Sequence, residues 1–141
     1  MWRLPLTIIV CALGLASPAL GASSSAQLWT ALGGNLTCGV AIHASGSPAN
    51  QLLCSAKPVP APKAKGVGDP GFVFLGSGGH PLLARLSQDS FVGSKPVALK
   101  NASSWSRSPI GVTCTISASA VRCTNLAHHG FTITRSSYRA F

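Results

Sequence analysis

Two adjacent histidines are the side chains in this sequence best suited to proton transfer. His128 and His129 stand directly before Gly130. An imidazole titrates near neutral pH, where it can act as a general acid or base or bind a metal ion. Neighbouring residues on a strand point to opposite faces, which argues against both rings sharing one metal. The pattern therefore favours a loop or capping role for the pair, with a catalytic or metal-binding role as the alternative.

Acidic side chains that would assist these histidines are scarce. The chain of 141 residues has 11 Lys and Arg but only two acids, Asp69 and Asp89, and its net charge is +9. This composition argues against most mechanisms that need paired acids, such as glycoside hydrolysis and metal chemistry at carboxylate ligands. Asp89 could orient a histidine in a nucleophilic triad, but no Gly-x-Ser-x-Gly motif marks a nucleophile. We predict no catalytic residue, no metal site and no cofactor, and we expect His43 and His80 to face solvent beside turns.

The cysteines indicate disulfide bonds. One cysteine, Cys11, lies within an apolar run near the start of the chain, and the other four follow it: Cys38, Cys54, Cys114 and Cys123. An even number of cysteines in an exported chain predicts two disulfides, and four cysteines allow three pairings.

Alternation of apolar and polar residues selects the pairing of the last two cysteines. Residues 112–116 and 121–124 both alternate, which predicts a half-buried hairpin. With Ala118-Ser119 as a two-residue turn, Cys114 falls opposite Cys123 at a non-hydrogen-bonded site. The Cα atoms at such a site approach to about 4.5 Å, which a disulfide tolerates. The sequence therefore predicts a bridge within this hairpin.

The earlier cysteines repeat this arrangement with a longer turn. Residues 36–42 and 52–54 alternate, and Ala44–Pro48 has the composition of a turn. A bridge between Cys38 and Cys54 closes this second hairpin. Both hairpins begin with an aliphatic residue followed by Thr-Cys, which hints at two related halves.

Further strand patterns complete the predicted fold. Short apolar segments predict strands at 71–75, 81–86, 97–100 and 131–134, with the glycine-rich stretch Gly76–Gly79 as a hairpin turn between the first two. We expect little helix beyond a turn near Ala26–Leu32, and an extended segment at Ser55–Pro70, which is rich in Pro and Lys. We therefore predict an all-β fold, a small antiparallel sandwich or barrel with two local hairpin disulfides.

The first 21 residues have the pattern of a secretory signal. A short positive start precedes the apolar run Leu6–Leu15, and small residues at Ala19 and Gly21 suit cleavage after Gly21. The run is too short to span a bilayer, and no later run approaches the roughly 20 residues that a transmembrane helix needs. We predict a signal peptide at 1–21 and one domain at 22–141, located outside the cell or in the cell envelope, with no transmembrane segment.

The last third of the chain resembles a known group of proteins. The matching elements are Ser104-Trp105, Gly111–Cys114, Val121–Asn125, His129-Gly130-Phe131 and Arg135–Phe141. Together they resemble the carboxyl-terminal signature of small secreted actinobacterial proteins of uncharacterised function. The resemblance implies a bacterial, secreted domain with two disulfides, and it implies no activity. A glycine commonly precedes His-Gly-Phe in that family, and His128 stands there in this chain.

Positive charge and aromatic residues are interleaved in the same region. The residues that we consider for anion binding are Arg107, Arg122, Arg135, Arg139, Trp105 and Tyr138. A surface of this kind attracts anionic partners such as envelope polymers, acidic lipids or nucleic acid. We expect a non-enzymatic domain that binds an anionic cell-envelope polymer, without specific nucleic-acid recognition. The alternative is that the charge only keeps an exported domain soluble, with the aromatic residues in the core.

Two other functions stay open at this point. A small ribonuclease-like hydrolase would use His128 and His129 as acid and base, with cationic stabilisation of the phosphorane. It would require these histidines to converge with Asp89 in a pocket. A protein-interaction or inhibitor module would instead present the loop Ala44–Pro48. The sequence does not determine the oligomeric state.

Overall fold

The computed structural model describes residues 22–40, 51–60, 71–85, 91 and 95–141. Several sequence predictions concern residues outside these ranges. They are the signal peptide at 1–21, the loop Ala44–Pro48, His43, most of the Pro-rich segment, and both acids, Asp69 and Asp89.

The described residues form β-strands almost throughout. The strands are β1 Ser23–Ser24, β2 Leu28–Ala31, β3 Leu36–Val40, β4 Leu52–Ala56, β5 Phe72–Leu75, β6 Leu82–Ala84, β7 Val97–Ala98, β8 Ser103–Arg107, β9 Val112–Ile116, β10 Ala120–Asn125, β11 Gly130–Thr134 and β12 Tyr138–Ala140. A short 3₁₀ turn at Leu32–Gly34 follows β2. The described residues contain no α-helix, which confirms the predicted all-β class.

The strands are arranged as two sheets packed face to face. The first sheet has the strand order β6-β5-β4-β3-β2-β7, and the second has the order β1-β8-β9-β10-β11-β12. Within each sheet, five consecutive strands form an antiparallel meander. A short strand then pairs in parallel at one edge, β7 on β2 and β1 on β8. The sheets do not close, so the fold is a sandwich and its sheets are mixed instead of purely antiparallel.

Each sheet contains one of the two predicted disulfides, and each disulfide joins neighbouring strands. Cys38 lies opposite Cys54 with Cα atoms 4.1 Å apart, and Cys114 lies opposite Cys123 at 4.0 Å. By chain-entropy arithmetic each bridge stabilises the fold by about 3 kcal/mol. The predicted pairing is confirmed.

The two-residue turn of the hairpin that contains Cys114 and Cys123 is also confirmed. The backbone N–H of Ser117 donates to the Ala120 carbonyl at 2.9 Å, which closes the turn around Ala118-Ser119. The Ser117 hydroxyl also accepts from the Ala120 N–H at 3.0 Å. This side-chain bond explains how the turn forms without the Asn-Gly or Asp-Gly sequence that two-residue turns favour.

Two tryptophans occupy the centre of the core. Trp29 of the first sheet and Trp105 of the second are fully buried, and their ring centroids are 5.8 Å apart. The Trp105 indole N–H donates to the Ala26 carbonyl at 2.7 Å. The tryptophan pair therefore joins the inner faces of the sheets, where burial of large aromatic surface contributes most to stability.

Two local predictions need correction. The segment Ala26–Leu32 contains strand β2, and the turn begins only at Leu32, because Trp29 and Ala31 have to enter the core. The segment predicted to be extended from Ser55 instead begins as part of β4, which runs to Ala56 and is followed by a turn closed by the bond from Val59 N–H to the Ala56 carbonyl.

A buried asparagine ties the hairpin turns of the two sheets together. The Asn125 side-chain amide, on β10, donates to the Gly76 and Gly79 carbonyls at 2.9 and 2.7 Å. Its side-chain oxygen accepts from the N–H groups of Ala127 and His129, both at 3.0 Å. The glycine-rich turn between β5 and β6 is therefore held by hydrogen bonds to the opposite sheet.

We predict that Asn125→Ala lowers the free energy of unfolding by about 3 kcal/mol, because it leaves two carbonyls and two N–H groups without their partner. Urea unfolding of the purified variant measures the change. Ser108→Ala, at an exposed turn position, is the matched control and should change the free energy of unfolding by less than about 0.5 kcal/mol. Equal stability of the two variants would contradict the role given to Asn125.

Candidate anion-binding surface

The outer side of the second sheet is polar and open. Because side chains alternate along a strand, burial of Trp105 and Cys114 turns their neighbours outward. We call this surface the hydroxyl face. It consists of Ser104, Ser106, Thr113, Thr115, Arg122, Thr124, Thr132 and Arg139, all exposed or half-buried. The face is continuous across β8 to β12.

Much of the corresponding side of the first sheet is apolar and buried. Leu28, Leu53 and Phe72 point outward there but are only 8%, 4% and 5% exposed. The Phe91 ring lies 5.9 Å from the Phe72 ring and also covers Gly39. The polar side chains on this outer side, Thr30, Thr37 and Ser55, are half-buried and uncharged, whereas the outer side of the second sheet also carries exposed arginines.

Strand register places the hydroxyl face residues in rows. One row crosses five strands, in the order Ser104, Thr115, Arg122, Thr132 and Arg139. A second row contains Ser106, Thr113 and Thr124. Neighbouring positions in a row are about 4.8 Å apart, which is the separation of paired strands. The two guanidinium groups are therefore anchored about 10 Å apart with a threonine between them.

The threonine hydroxyls of these rows are available for a ligand. Thr113, Thr115, Thr124 and Thr132 make no side-chain hydrogen bond among the described residues. Thr134 differs, because its hydroxyl contacts the Ser137 hydroxyl at 2.8 Å and accepts from backbone N–H groups of the following turn. The central rows therefore present both donors and acceptors to solvent.

A cation–π contact orients one of the arginines. The Arg122 guanidinium lies over the Phe141 ring, 3.8 Å from its centroid. Phe141 is fixed by two backbone bonds with Gly130, both 2.9 Å. A Cβ at position 130 would lie 1.9 Å from the Cys123 carbonyl oxygen and 2.9 Å from the Phe141 ring. Only glycine fits there, and this gives the His-Gly-Phe element a structural reason.

The part of the chain that the structure describes places no carboxylate side chain beside the face. Both aspartates of the sequence lie outside the described ranges, so none of the described residues can pair with Arg122 or Arg139 through a side-chain carboxylate. Guanidinium groups bind carboxylate and phosphate oxygens with two parallel hydrogen bonds. The hydroxyl face is thus suited chemically to an anion that also carries hydroxyl or ether oxygens.

The other residues considered for anion binding lie elsewhere. Trp105 is fully buried and therefore cannot contact a ligand in solution. Tyr138 is on the core side of β12, half-buried, with its ring 6.3 Å from Phe131, and this burial raises the pKa of its hydroxyl. Arg107 lines a shallow groove of about 550 Å³ beside Leu126. Arg135 follows the last residue of β11 and lies in the turn before β12.

One of the two adjacent histidines packs against a histidine from the first sheet. His128 is exposed with a φ of 64°, in the turn after β10. The half-buried His129 ring packs on the exposed His80 ring with centroids 3.6 Å apart. Sequence analysis missed this contact because it links turns of different sheets. No group of three or more His, Cys, Asp or Glu side chains in the described ranges is placed to hold a metal ion.

Comparisons with known proteins identified no similar protein. No protein-family model, curated protein or solved structure matches the chain. The resemblance to the actinobacterial family stays a prediction. Separately, none of the described residues belongs to a helix long and apolar enough to cross a membrane.

We predict that Gly130→Ala lowers the free energy of unfolding by about 2–3 kcal/mol, because the added methyl group overlaps the Cys123 carbonyl and strands β10 and β11 must separate. Chemical denaturation measures this change. Gly78→Ala is the control, since a Cβ at Gly78 meets no atom within 4 Å. A Gly130→Ala variant as stable as the Gly78→Ala variant would contradict the packing described.

Proposed function

We propose that this protein is a secreted or envelope-associated, non-enzymatic domain whose hydroxyl face binds an extended anionic polymer of the cell envelope. The observation that carries the proposal is the row in which Arg122 and Arg139 flank Thr132 on an open sheet surface. A polymer lying across the strands would present an anionic group to each guanidinium. Its hydroxyl or ether oxygens would meet the threonines between and beside them.

The contact between Arg122 and Phe141 supports this proposal. A long side chain normally loses conformational freedom when it binds a ligand, which weakens binding. The guanidinium of Arg122 already lies over an aromatic ring, 3.8 Å from its centroid, so less freedom remains to be lost. A guanidinium has five N–H donors, and those that do not face the ring can bind an anion.

The strength expected of such a surface is modest for each contact. An exposed ion pair contributes only about 0.2–1 kcal/mol and is screened by salt. Affinity for a polymer instead arises because many weak contacts act together on one chain. The proposal therefore requires binding that depends on polymer length and falls as the salt concentration rises.

The disulfides support the proposed location. Both bridges join strand pairs within the sheets, and disulfides persist mainly in secreted, periplasmic or cell-surface proteins. The predicted signal peptide at 1–21 agrees with that location. Together they favour a polymer that is found outside the cytoplasm.

Nucleic acid is a weaker candidate for the ligand. Proteins that bind single strands stack bases on exposed aromatic rings. On the hydroxyl face and its border, the only described aromatic ring is Phe141, and Arg122 covers it. The hydrolase alternative receives no support from the histidines, since His129 packs on His80. The loop of the interaction-module alternative lies outside the described residues.

Binding to immobilised polygalacturonate tests the proposal. We expect the mature protein to bind this polymer at low salt and to dissociate from it at high salt. We expect no binding to a neutral glucan. Arg122→Gln/Arg139→Gln should weaken binding about fivefold to tenfold, the effect of removing two exposed charge contacts. The control is Lys57→Gln/Lys95→Gln, which removes the same charge from exposed positions outside the face.

The control variant should retain nearly the affinity of the parent protein. Equal losses in the two double variants would show that only net charge matters and would contradict a specific face. Binding that does not change with salt, or no binding to polygalacturonate, would also overturn the proposal.

A further inference from the structure

A cleft of about 390 Å³ opens between the two sheets at the end of the sandwich where β9 turns into β10. We call it the end cleft. Its walls come from the segments 30–34, 98–101 and 116–118, together with Arg135. Small-molecule sites in proteins commonly have volumes from about 300 to 1,000 Å³. The end cleft is therefore large enough for a small organic ligand.

Two cations line the end cleft. Lys100 follows β7 and Arg135 follows β11, so the two sheets contribute one each to the same cavity. Asn101 adds a neutral side-chain amide, and no acid from the described part of the chain lines the cleft. Two cations beside a neutral amide donor are the groups expected around a carboxylate or phosphate.

The backbone at the wall of the cleft brings Arg135 close. Gly33 and Gly34 have φ of 69° and 88°, values that favour glycine. The position of a Cβ on Gly33 would be 3.4 Å from Nη2 of Arg135. The guanidinium group thus lies against the bare backbone of this turn.

The residue before these glycines also has a left-handed backbone conformation. Leu32 has a φ of 55°, which costs a non-glycine residue about 1–2 kcal/mol. Its side chain is 5% exposed and packs in the hydrophobic core. Core packing therefore holds the turn in its conformation, and residues held in this way cluster at ligand sites.

From these observations we infer that the end cleft binds a small organic anion, a hydroxylated carboxylate or phosphate of the size of a sugar acid. Lys100 and Arg135 bind the anionic group, and the side-chain amide of Asn101 binds a neighbouring hydroxyl. The apolar side chains of Leu99 and Ile116, which also line the cleft, contact the carbon skeleton. The site uses none of the residues of the hydroxyl face, so it does not depend on the function proposed above.

Titration calorimetry with galacturonic acid and with glycerol phosphate tests the inference. We expect at least one of them to bind saturably with one site per chain, while neutral galactose does not. A trimer of galacturonic acid, added as a second arm, distinguishes a free acid from a polymer end: tighter binding of the trimer than of the monomer identifies the polymer end as the ligand.

Variants locate the site. Lys100→Gln and Arg135→Gln should each weaken binding of the small anion at least fivefold. Lys57→Gln, which removes an exposed cation that belongs neither to the end cleft nor to the hydroxyl face, should leave it unchanged. Thermal unfolding of each variant verifies that it remains folded. Failure of both galacturonic acid and glycerol phosphate to bind, or an equal effect of all three variants, would overturn the inference without bearing on the hydroxyl face.

Discussion

A disulfide beside a buried tryptophan fixes the register of each sheet. In the first sheet the paired residues are Trp29, Cys38, Cys54 and Val73, and in the second they are Trp105, Cys114, Cys123 and Phe131. A shift of one residue in any strand would turn its buried side chains outward. The covalent bridge makes such a shift impossible between the strands that it joins. The threonines and arginines of the hydroxyl face are consequently held on the outer side.

The two halves of the chain share one plan but differ on their outer sides. Each half has a short strand followed by a five-stranded meander, and the short strands exchange sheets, β1 joining β8 and β7 joining β2. Eight residues separate tryptophan from the first cysteine in both halves. The outer side of the first sheet is largely apolar, with Leu28, Leu53 and Phe72 buried, whereas that of the second is hydroxylated and cationic. The same framework therefore supports two outer sides of different chemistry.

Sequence reasoning predicted what depends on local alternation and missed what depends on distant contacts. Both disulfides and the register of β9 with β10 were predictable because each lies within one hairpin. Strand β8 was missed because Trp105 is its only apolar residue, and Trp105 was placed on the binding surface because its partner Trp29 lies in the other sheet. The contact of Arg122 with Phe141 requires β12, which the sequence pattern does not reveal.

Disulfide mapping by mass spectrometry of the mature, unreduced protein tests most directly the register on which both proposed sites depend. Proteolysis followed by peptide identification should find Cys38 bonded to Cys54 and Cys114 bonded to Cys123, with no free thiol among these four. A bond between either early cysteine and either late one, or a substantial fraction of free thiols, would contradict the account. In that case the hydroxyl rows would not be held in place by the bridges.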